Sequence, residues 1–184
     1  MGSALEAALA RRSASKVTDA APDDAALLEL LEAASRVADH ASLRPWRIVA
    51  LRGAARERLG TALAAASGAE GDAAAKLAGK PLRAPLLLGV VAVTVPDHEK
   101  VPVWEQEASA AGVAHLLSLL LDEAGWGVMW RTGPYTRHPL VAEVHGLAAN
   151  EHLLGWLYVG GLPEGRRGER RTDRISASRL TVLD

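Results

Sequence analysis

The chain has 184 residues, 49% of them hydrophobic, and a formal net charge of −1. This length suits one domain with its own core, and the small net charge argues against a protein that binds nucleic acid through bulk positive charge. The absence of cysteine excludes disulfides, iron–sulfur clusters and catalysis by a thiolate.

The N-terminal residues do not have the pattern of a secretory signal, and the most apolar stretch, 108–121, is too short to span a bilayer. We therefore expect a cytoplasmic protein that forms one domain over residues 1–184 and has no membrane partner. Residues 166–184 are polar and rich in arginine, and they are expected to form a solvated C-terminal arm.

Hydrophobic periodicity and the positions of Gly and Pro predict five helices and four strands. In chain order they are a short helix before Arg11, a helix over 22–39, a strand over 47–51, a helix over 54–66, a strand over 86–94, a helix over 104–124, a strand over 127–130, a helix over 139–145 and a strand over 153–159. The Gly- and Ala-rich segment 67–79 fits either a loop or a frayed helix. The helix over 22–39 would place Arg36 and His40, four residues apart, on one face.

Within the helix predicted over 104–124, the stretch 108–121 is apolar almost all the way round. Only His115, Ser118 and Asp122 form a narrow polar stripe along it. A helix that is buried on most sides in so small a protein needs more cover than one layer of its own chain supplies. This helix is therefore expected to form a subunit interface.

Two short segments far apart in the chain carry the groups that an anionic ligand needs. Segment 10–16 contains two arginines, two serines and a lysine, and segment 127–133 ends an apolar run with an arginine, a threonine and a glycine. Arginine binds phosphate through a bidentate fork, and a serine or threonine hydroxyl adds a hydrogen bond. An anionic, planar, phosphorylated ligand would need such groups from two regions of the chain.

The sequence lacks several common nucleotide-binding and catalytic motifs. No Gly-x-Gly-x-x-Gly follows a strand, and neither a Walker loop nor a Gly-x-Ser-x-Gly elbow occurs. His138, His145 and His152 are spaced by seven, but Gly146 interrupts any shared helix, so we interpret them as surface or capping residues and expect no metal site. With no catalytic side chain identified, we expect a cofactor to carry the reaction.

Four motifs occur in a specific order. They are Arg11-Arg12-Ser13 after an Ala/Leu helix, Asp39-His40 followed by Leu43-Arg44-Pro45-Trp46, the segment 101–107, and the segment 125–133. Together they resemble the nitroreductase family, specifically its short subgroup that depends on FMN and NAD(P)H. The similarity runs from about Leu5 to Gly160.

The resemblance implies a homodimer with an α+β fold of three layers, in which a central mixed sheet is flanked by helices and FMN lies at the dimer interface. It implies that FMN is bound by Arg11, Arg12 and Ser13 from one subunit, by Arg36 and His40 from the other, and by Trp130, Arg131 and Thr132, which complete the site. It also implies an NAD(P) site at the end of the long helix, formed by Leu120, Leu121, Asp122, Glu123, Ala124 and Gly125.

The function that the resemblance implies is an oxidoreductase. It would transfer hydride from NAD(P)H through FMN to a nitroaromatic, a quinone or a similar small molecule by a ping-pong mechanism. The alternative is a flavin-binding or flavin-sequestering protein with little turnover. The chain departs from the family pattern at Ser15, where many members have a cation, and in having no phenylalanine. Lys16 follows directly, so the cation that faces the flavin N1 edge is left open.

Overall fold

The computed structural model describes residues 3–165 and 177–183. Within them the helices are α1 (Ala4–Ala10), α2 (Asp24–Ala34), α3 (Ala54–Ser67), α4 (Gly71–Ala78), α5 (Val103–Glu123) and α6 (Pro139–Val144). The strands are β1 (Trp46–Leu51), β2 (Leu86–Val93), β3 (Trp126–Arg131) and β4 (Glu151–Gly161). All nine predicted elements are therefore confirmed, and most of the predicted arm over 166–184 lies outside the described residues.

The four strands form one sheet in the order β1-β2-β4-β3, and each neighbouring pair is antiparallel. The mixed sheet that was expected is not found among the described residues, which contain no parallel pair. Because β2 and β4 are already paired on both sides, a parallel strand could join only at the edge strands β1 and β3. β2 is buried from Leu86 to Ala92, as its unbroken apolar run predicted.

Helices cover both faces of the sheet, which confirms the three layers. On one face, α2 and α5 bury one set of alternating β2 side chains, which includes Leu88 and Val90. On the other face, α3 and α6 bury the intervening set, which includes Leu87 and Val91. Successive side chains of a strand point to opposite faces, so one apolar strand supplies two separate cores.

The predicted long helix is present as α5, which has 21 residues. It buries one stripe against the sheet, but Leu116, Leu119 and Leu120 on its other sides are only partly buried. Trp104 near its N-terminus is 67% exposed. Among the described residues, none of the helices combines the length and the apolar character that a membrane span requires.

The helix predicted over 22–39 is shorter than expected, because α2 ends at Ala34. The Arg36 N–H bonds to the Ala33 carbonyl, and the Ser35 hydroxyl donates to the Glu32 carbonyl at 2.6 Å, so the last turn tightens and stops. Beyond the helix, Val37 packs against α5 at Gly112. Tertiary packing has overridden the helical periodicity in this segment.

The ambiguous segment 67–79 contains the helix α4. Gly60 on α3 allows α4 to approach closely, because a Cβ at Gly60 would lie 2.2 Å from the Ala78 carbonyl oxygen. The close packing of the two helices stabilises a segment whose own composition favours neither helix nor loop.

Candidate functional site

The N-terminal motif lies beside β3. The Ala14 N–H donates to the Val128 carbonyl at 2.9 Å, and Thr18 forms an antiparallel bridge with Gly161, the last residue of β4. Because Gly161 is paired with Trp126, the chain passes from the middle of β3 at Ala14 to the N-terminal end of β3 at Thr18. Ala14, directly after the N-terminal motif, is thus bonded to the strand that ends at Arg131, although the two segments are far apart in sequence.

The two arginines of the N-terminal motif have different surroundings. One guanidinium nitrogen of Arg12, Nη1, donates to the carbonyls of Leu9, Ala10 and Arg11 at 3.0–3.1 Å, and it therefore caps the end of α1. Arg11 is half-buried, and its guanidinium makes no hydrogen bond or ion pair within the described residues. Arg12 thus has a structural role, whereas Arg11 is available to a ligand.

Trp130 and Arg131, at the end of β3, point to opposite faces of the sheet. The Trp130 ring lies edge-on to His115 of α5, with 4.8 Å between the ring centroids. The Arg131 guanidinium carbon lies 5.3 Å from the centroid of the Tyr158 ring on the opposite face. Trp130 Nε1 and Arg131 Nε are both buried, and neither has a hydrogen-bond partner. Buried N–H groups without acceptors are costly, which marks this strand end as a place where a ligand could supply them.

A β-bulge in β4 sits directly beside this strand end. The pairing of β2 with β4 shifts between Val90 and Val91, opposite Leu153 and Gly155. Gly155 has φ +144°, and a Cβ there would lie 2.6 Å from Trp130 Nε1 and 2.7 Å from the Arg131 carbonyl oxygen. Only glycine allows the two backbones to approach this closely at the candidate site.

Arg36 and His40 do not share a helical face, which corrects the expectation from spacing. Because α2 ends at Ala34, both residues lie on its connection to β1. Arg36 is exposed and has Glu32 as its ion partner at 3.8 Å. His40 Nδ1 lies 2.8 Å from a carboxylate oxygen of Glu105 on α5, so this ring is tied to the long helix.

The loop that follows His40 is strained. Ala41, Ser42 and Arg44 have φ values of 60°, 53° and 47°, in the left-handed region that L-residues rarely adopt. The Asp39 carboxylate accepts a 2.7 Å hydrogen bond from the Arg44 N–H and so holds the loop closed. Such strain persists only where surrounding contacts enforce it, and it is concentrated at binding sites.

Ala41→Gly should stabilise the protein, because glycine removes the left-handed penalty of about 1–2 kcal/mol and costs about 0.5–1 kcal/mol of chain entropy. We expect the free energy of unfolding, measured by urea denaturation, to rise by about 0.5–1 kcal/mol. Ala38→Gly is the matched control in the same loop. It should lower the free energy of unfolding, because Ala38 does not have a positive φ. A lower free energy of unfolding in both variants would contradict the conclusion that the backbone is strained at Ala41.

The segment Leu120–Gly125, expected to bind NAD(P), lies at the other end of β3 from Arg131. Six strand residues separate the two places, which corresponds to about 17–20 Å. Leu121 is fully buried in the core, so its side chain is not available to a ligand. Asp122 and Glu123 lie at a helix C-terminus, where the dipole disfavours phosphate. A single protomer does not bring the two expected sites together.

The three histidines that are spaced by seven residues have separate roles. His138 caps α6 by accepting from the Leu140 N–H at 3.3 Å, as its placement predicted. His152 is hydrogen-bonded to Glu107 of α5, which also pairs with Arg137 at 3.6 Å. Within residues 3–165 and 177–183, no three acidic or histidine side chains form a cluster suited to a metal ion.

His145 is the C-cap residue of α6, in agreement with a capping role, but it is 4% exposed and is therefore not a surface residue. Its Nδ1 lies 2.7 Å from the Val141 carbonyl oxygen, and its Nε2 accepts from Trp156 Nε1 at 2.9 Å. This geometry assigns the proton to Nδ1 of a neutral ring. Burial lowers the pKa of His145 below its usual value of 6.5, and the charge of Arg47 lowers it further against the raising effect of the Val141 hydrogen bond.

The lowered pKa of His145 predicts that the protein loses stability in acid. In acid, the His145 ring is protonated in the unfolded chain before it is protonated in the folded protein. Its contribution to the free energy of unfolding is therefore fully present above about pH 6.5 and falls as the pH drops below that value. Urea denaturation at pH 7.5 and pH 5.5 should give a lower free energy of unfolding at the lower pH. His145→Gln can keep both hydrogen bonds without titrating, so it should reduce this difference. An unchanged difference in the variant would exclude His145 as its source.

Several residues of the candidate site were not identified from the sequence. Gly155 carried a signal, because a glycine inside an apolar strand pattern indicates a bulge or a close approach of two backbones. Glu105 lies in the motif 101–107 but was assigned no contact. Tyr158 carried no signal, because its position under Arg131 depends on the pairing of β3 with β4.

The matching family model decides the relationship to known proteins. The model described as the nitroreductase family matches residues 8–161. The chain belongs to the nitroreductase family. The protein YdjA of Escherichia coli (strain K12), provisionally named an NAD(P)H nitroreductase, is 38% identical over 160 residues, which cover 85% of this chain and 87% of YdjA.

Solved structures share the fold of this nitroreductase-family chain. A nitroreductase-like family protein from Bacillus cereus superimposes with a TM-score of 0.83 at 24% identity, covering 100% of this chain and 97% of the other. A nitroreductase with bound FMN from Bacteroides fragilis NCTC 9343 gives a TM-score of 0.76 at 18% identity, with 100% of both chains covered. The three-layer fold is therefore that of known nitroreductases.

Proposed function

We propose that this chain is an FMN-dependent oxidoreductase that uses NAD(P)H as its hydride donor. The observation that carries the proposal is the edge of the sheet at the end of β3. There, Trp130 Nε1 and Arg131 Nε are buried without hydrogen-bond partners, and the segment that carries Arg11 is bonded to the same strand through Ala14 and Val128. Membership of the nitroreductase family adds the chemical class.

These groups fit a phosphorylated flavin. The guanidiniums of Arg11 and Arg131 suit a phosphate, and the exposed Ser13 and Thr132 can add hydroxyl hydrogen bonds. The close approach of backbones at Gly155 holds Trp130 and Arg131 in place for the ligand. When bound, FMN would accept a hydride from NAD(P)H and pass it to a nitroaromatic, a quinone or a similar acceptor.

The protein's own contribution is to bind and orient the flavin and to place positive charge beside it. Arginine side chains held near the ligand place fixed positive charge where the reduced flavin would carry negative charge. Arg12 serves the site indirectly, because it caps α1 and so fixes the chain just before Ser13. No side chain is required to act as an acid or base in this scheme.

A homodimer would complete the site. His40 lies on the loop that leads into β1, and Arg131 ends β3, which is the opposite edge of the sheet. Three strand spacings of about 4.8 Å separate these edges. A second copy of the chain, packed against the partly exposed leucines of α5, would bring its own Arg36 and His40 to the flavin. The NAD(P) segment Leu120–Gly125 would likewise have to act across the interface.

Light scattering of the flavin-loaded protein should give the mass of a dimer, because the proposed site takes residues from two subunits. Removal of FMN should leave the chain folded, as judged by circular dichroism. A monomer that retains FMN tightly would contradict a shared site.

The visible spectrum of the purified protein should show flavin bands that bleach on addition of NAD(P)H without acceptor. Turnover should be ping-pong, because one flavin site would serve donor and acceptor in turn. Steady-state plots at several NAD(P)H and acceptor concentrations should therefore be parallel, and intersecting lines would contradict the mechanism. Flavin bands that persist with NAD(P)H would instead favour a flavin-sequestering protein.

Arg11→Ala should weaken FMN binding more than it affects folding. A charge-assisted hydrogen bond contributes about 1.5–3 kcal/mol, so the dissociation constant should rise about 10- to 100-fold. The dissociation constant is measured from the quenching of FMN fluorescence as apo-protein is added. Arg58→Ala, an exposed arginine on α3, is the matched control and should leave the dissociation constant unchanged. Equal affinities of the wild type and Arg11→Ala would remove Arg11 from the site.

A further inference from the structure

Arg131 is held at the end of β3 without an anionic partner. Its side chain is partly buried, its Nε is fully buried and unbonded, and none of the ion pairs within the described residues includes it. A buried N–H of a guanidinium that has lost its water and gained no acceptor costs stability. We therefore expect a neighbouring side chain that keeps Arg131 in this position and an anionic ligand that would pair with its guanidinium.

Tyr158 is the group that holds it. The ring centroid lies 5.3 Å from the Arg131 guanidinium carbon, within the range of a cation–π contact. Tyr158 is 7% exposed and is fixed in β4 between Leu87 of β2 and Met129 of β3. A ring with so little freedom gives the guanidinium a defined platform.

The surroundings of Tyr158 are positive and remain so at neutral pH. Burial raises the pKa of the Tyr158 hydroxyl above its usual value of 10, against the opposing charges of Arg131 and Arg83. The phenol is therefore uncharged and does not neutralise either arginine. Two cations that converge on one neutral ring create a local preference for an anion.

The backbone of Arg131 is restrained as well as its side chain. A Cβ at Gly155 would lie 2.7 Å from the Arg131 carbonyl oxygen and 3.0 Å from the Thr132 Cγ2 atom. β4 thus approaches the backbone of Arg131 closely at Gly155. Three residues later, β4 also carries Tyr158, whose ring lies under the Arg131 guanidinium. A cation restrained at both ends loses less entropy when it binds an anion.

We propose that Tyr158 is a positioning residue that holds Arg131 for the phosphate of FMN, so that the pair selects FMN over riboflavin. The inference rests on the proposed function and adds to it the residue that orients the cation. A guanidinium matches the oxygens of a phosphate dianion, and riboflavin has no such group. The selectivity therefore arises at the phosphate and not at the flavin ring.

The test compares the dissociation constants of FMN and riboflavin for the full-length apo-protein. Tyr158→Leu should raise the FMN constant about 3- to 30-fold, as expected for loss of a cation–π platform. The riboflavin constant should stay within about twofold, because a ligand without phosphate gains little from Arg131. Tyr158→Phe keeps the ring face and should bind both ligands as the wild type does.

A shape-preserving variant keeps the test decisive if Tyr158→Leu does not fold. Tyr158→pentafluorophenylalanine retains the ring volume but reverses the charge distribution of its face, so it should weaken FMN and spare riboflavin relative to Tyr158→Phe. Equal losses for both ligands, or no loss of FMN affinity, would overturn the inference and leave the proposed function intact. A wild-type protein that does not bind FMN would refute the proposed function, and this inference with it.

Discussion

The structure depends on the burial of β2 and β4 between two layers of helices. Both strands are paired on both sides, and their side chains fill a core on each face. Each large apolar side chain that is removed from water contributes about 1.5–3 kcal/mol, so these two strands dominate the stability of the fold. The edge strands and the loops attached to them are therefore free to carry groups that do not favour folding.

The candidate site makes use of that freedom. It places an Arg131 without an anionic partner, a Trp130 N–H without an acceptor and a strained loop at the periphery of the sheet. Each of these features costs stability in the ligand-free protein, and the cost of the unbonded N–H groups would be offset if a phosphorylated flavin supplied acceptors. The same groups thus explain why the site is destabilising alone and suited to binding a cofactor.

The sequence predicted the secondary structure well because apolar periodicity was strong in every strand and long helix. It failed at the end of α2, where apolar spacing continued to Ala38 but Val37 packs against α5 and the helix stops at Ala34. That error carried over to the expected face shared by Arg36 and His40. The family motifs identified the segments at the end of β3, but Tyr158 could not be found, since strand register is a tertiary property.

The bulge in β4 has a consequence for how this segment can change in evolution. Before it, Leu153 faces α3 and α6, and after it Trp156 and Tyr158 face the same layer, although strict alternation would have sent them to the α5 side. A deletion of one residue here would exchange the two faces of the remaining strand. It would take the ring from under Arg131 and place Leu157 in the wrong core. The length of this segment is therefore constrained as tightly as its composition.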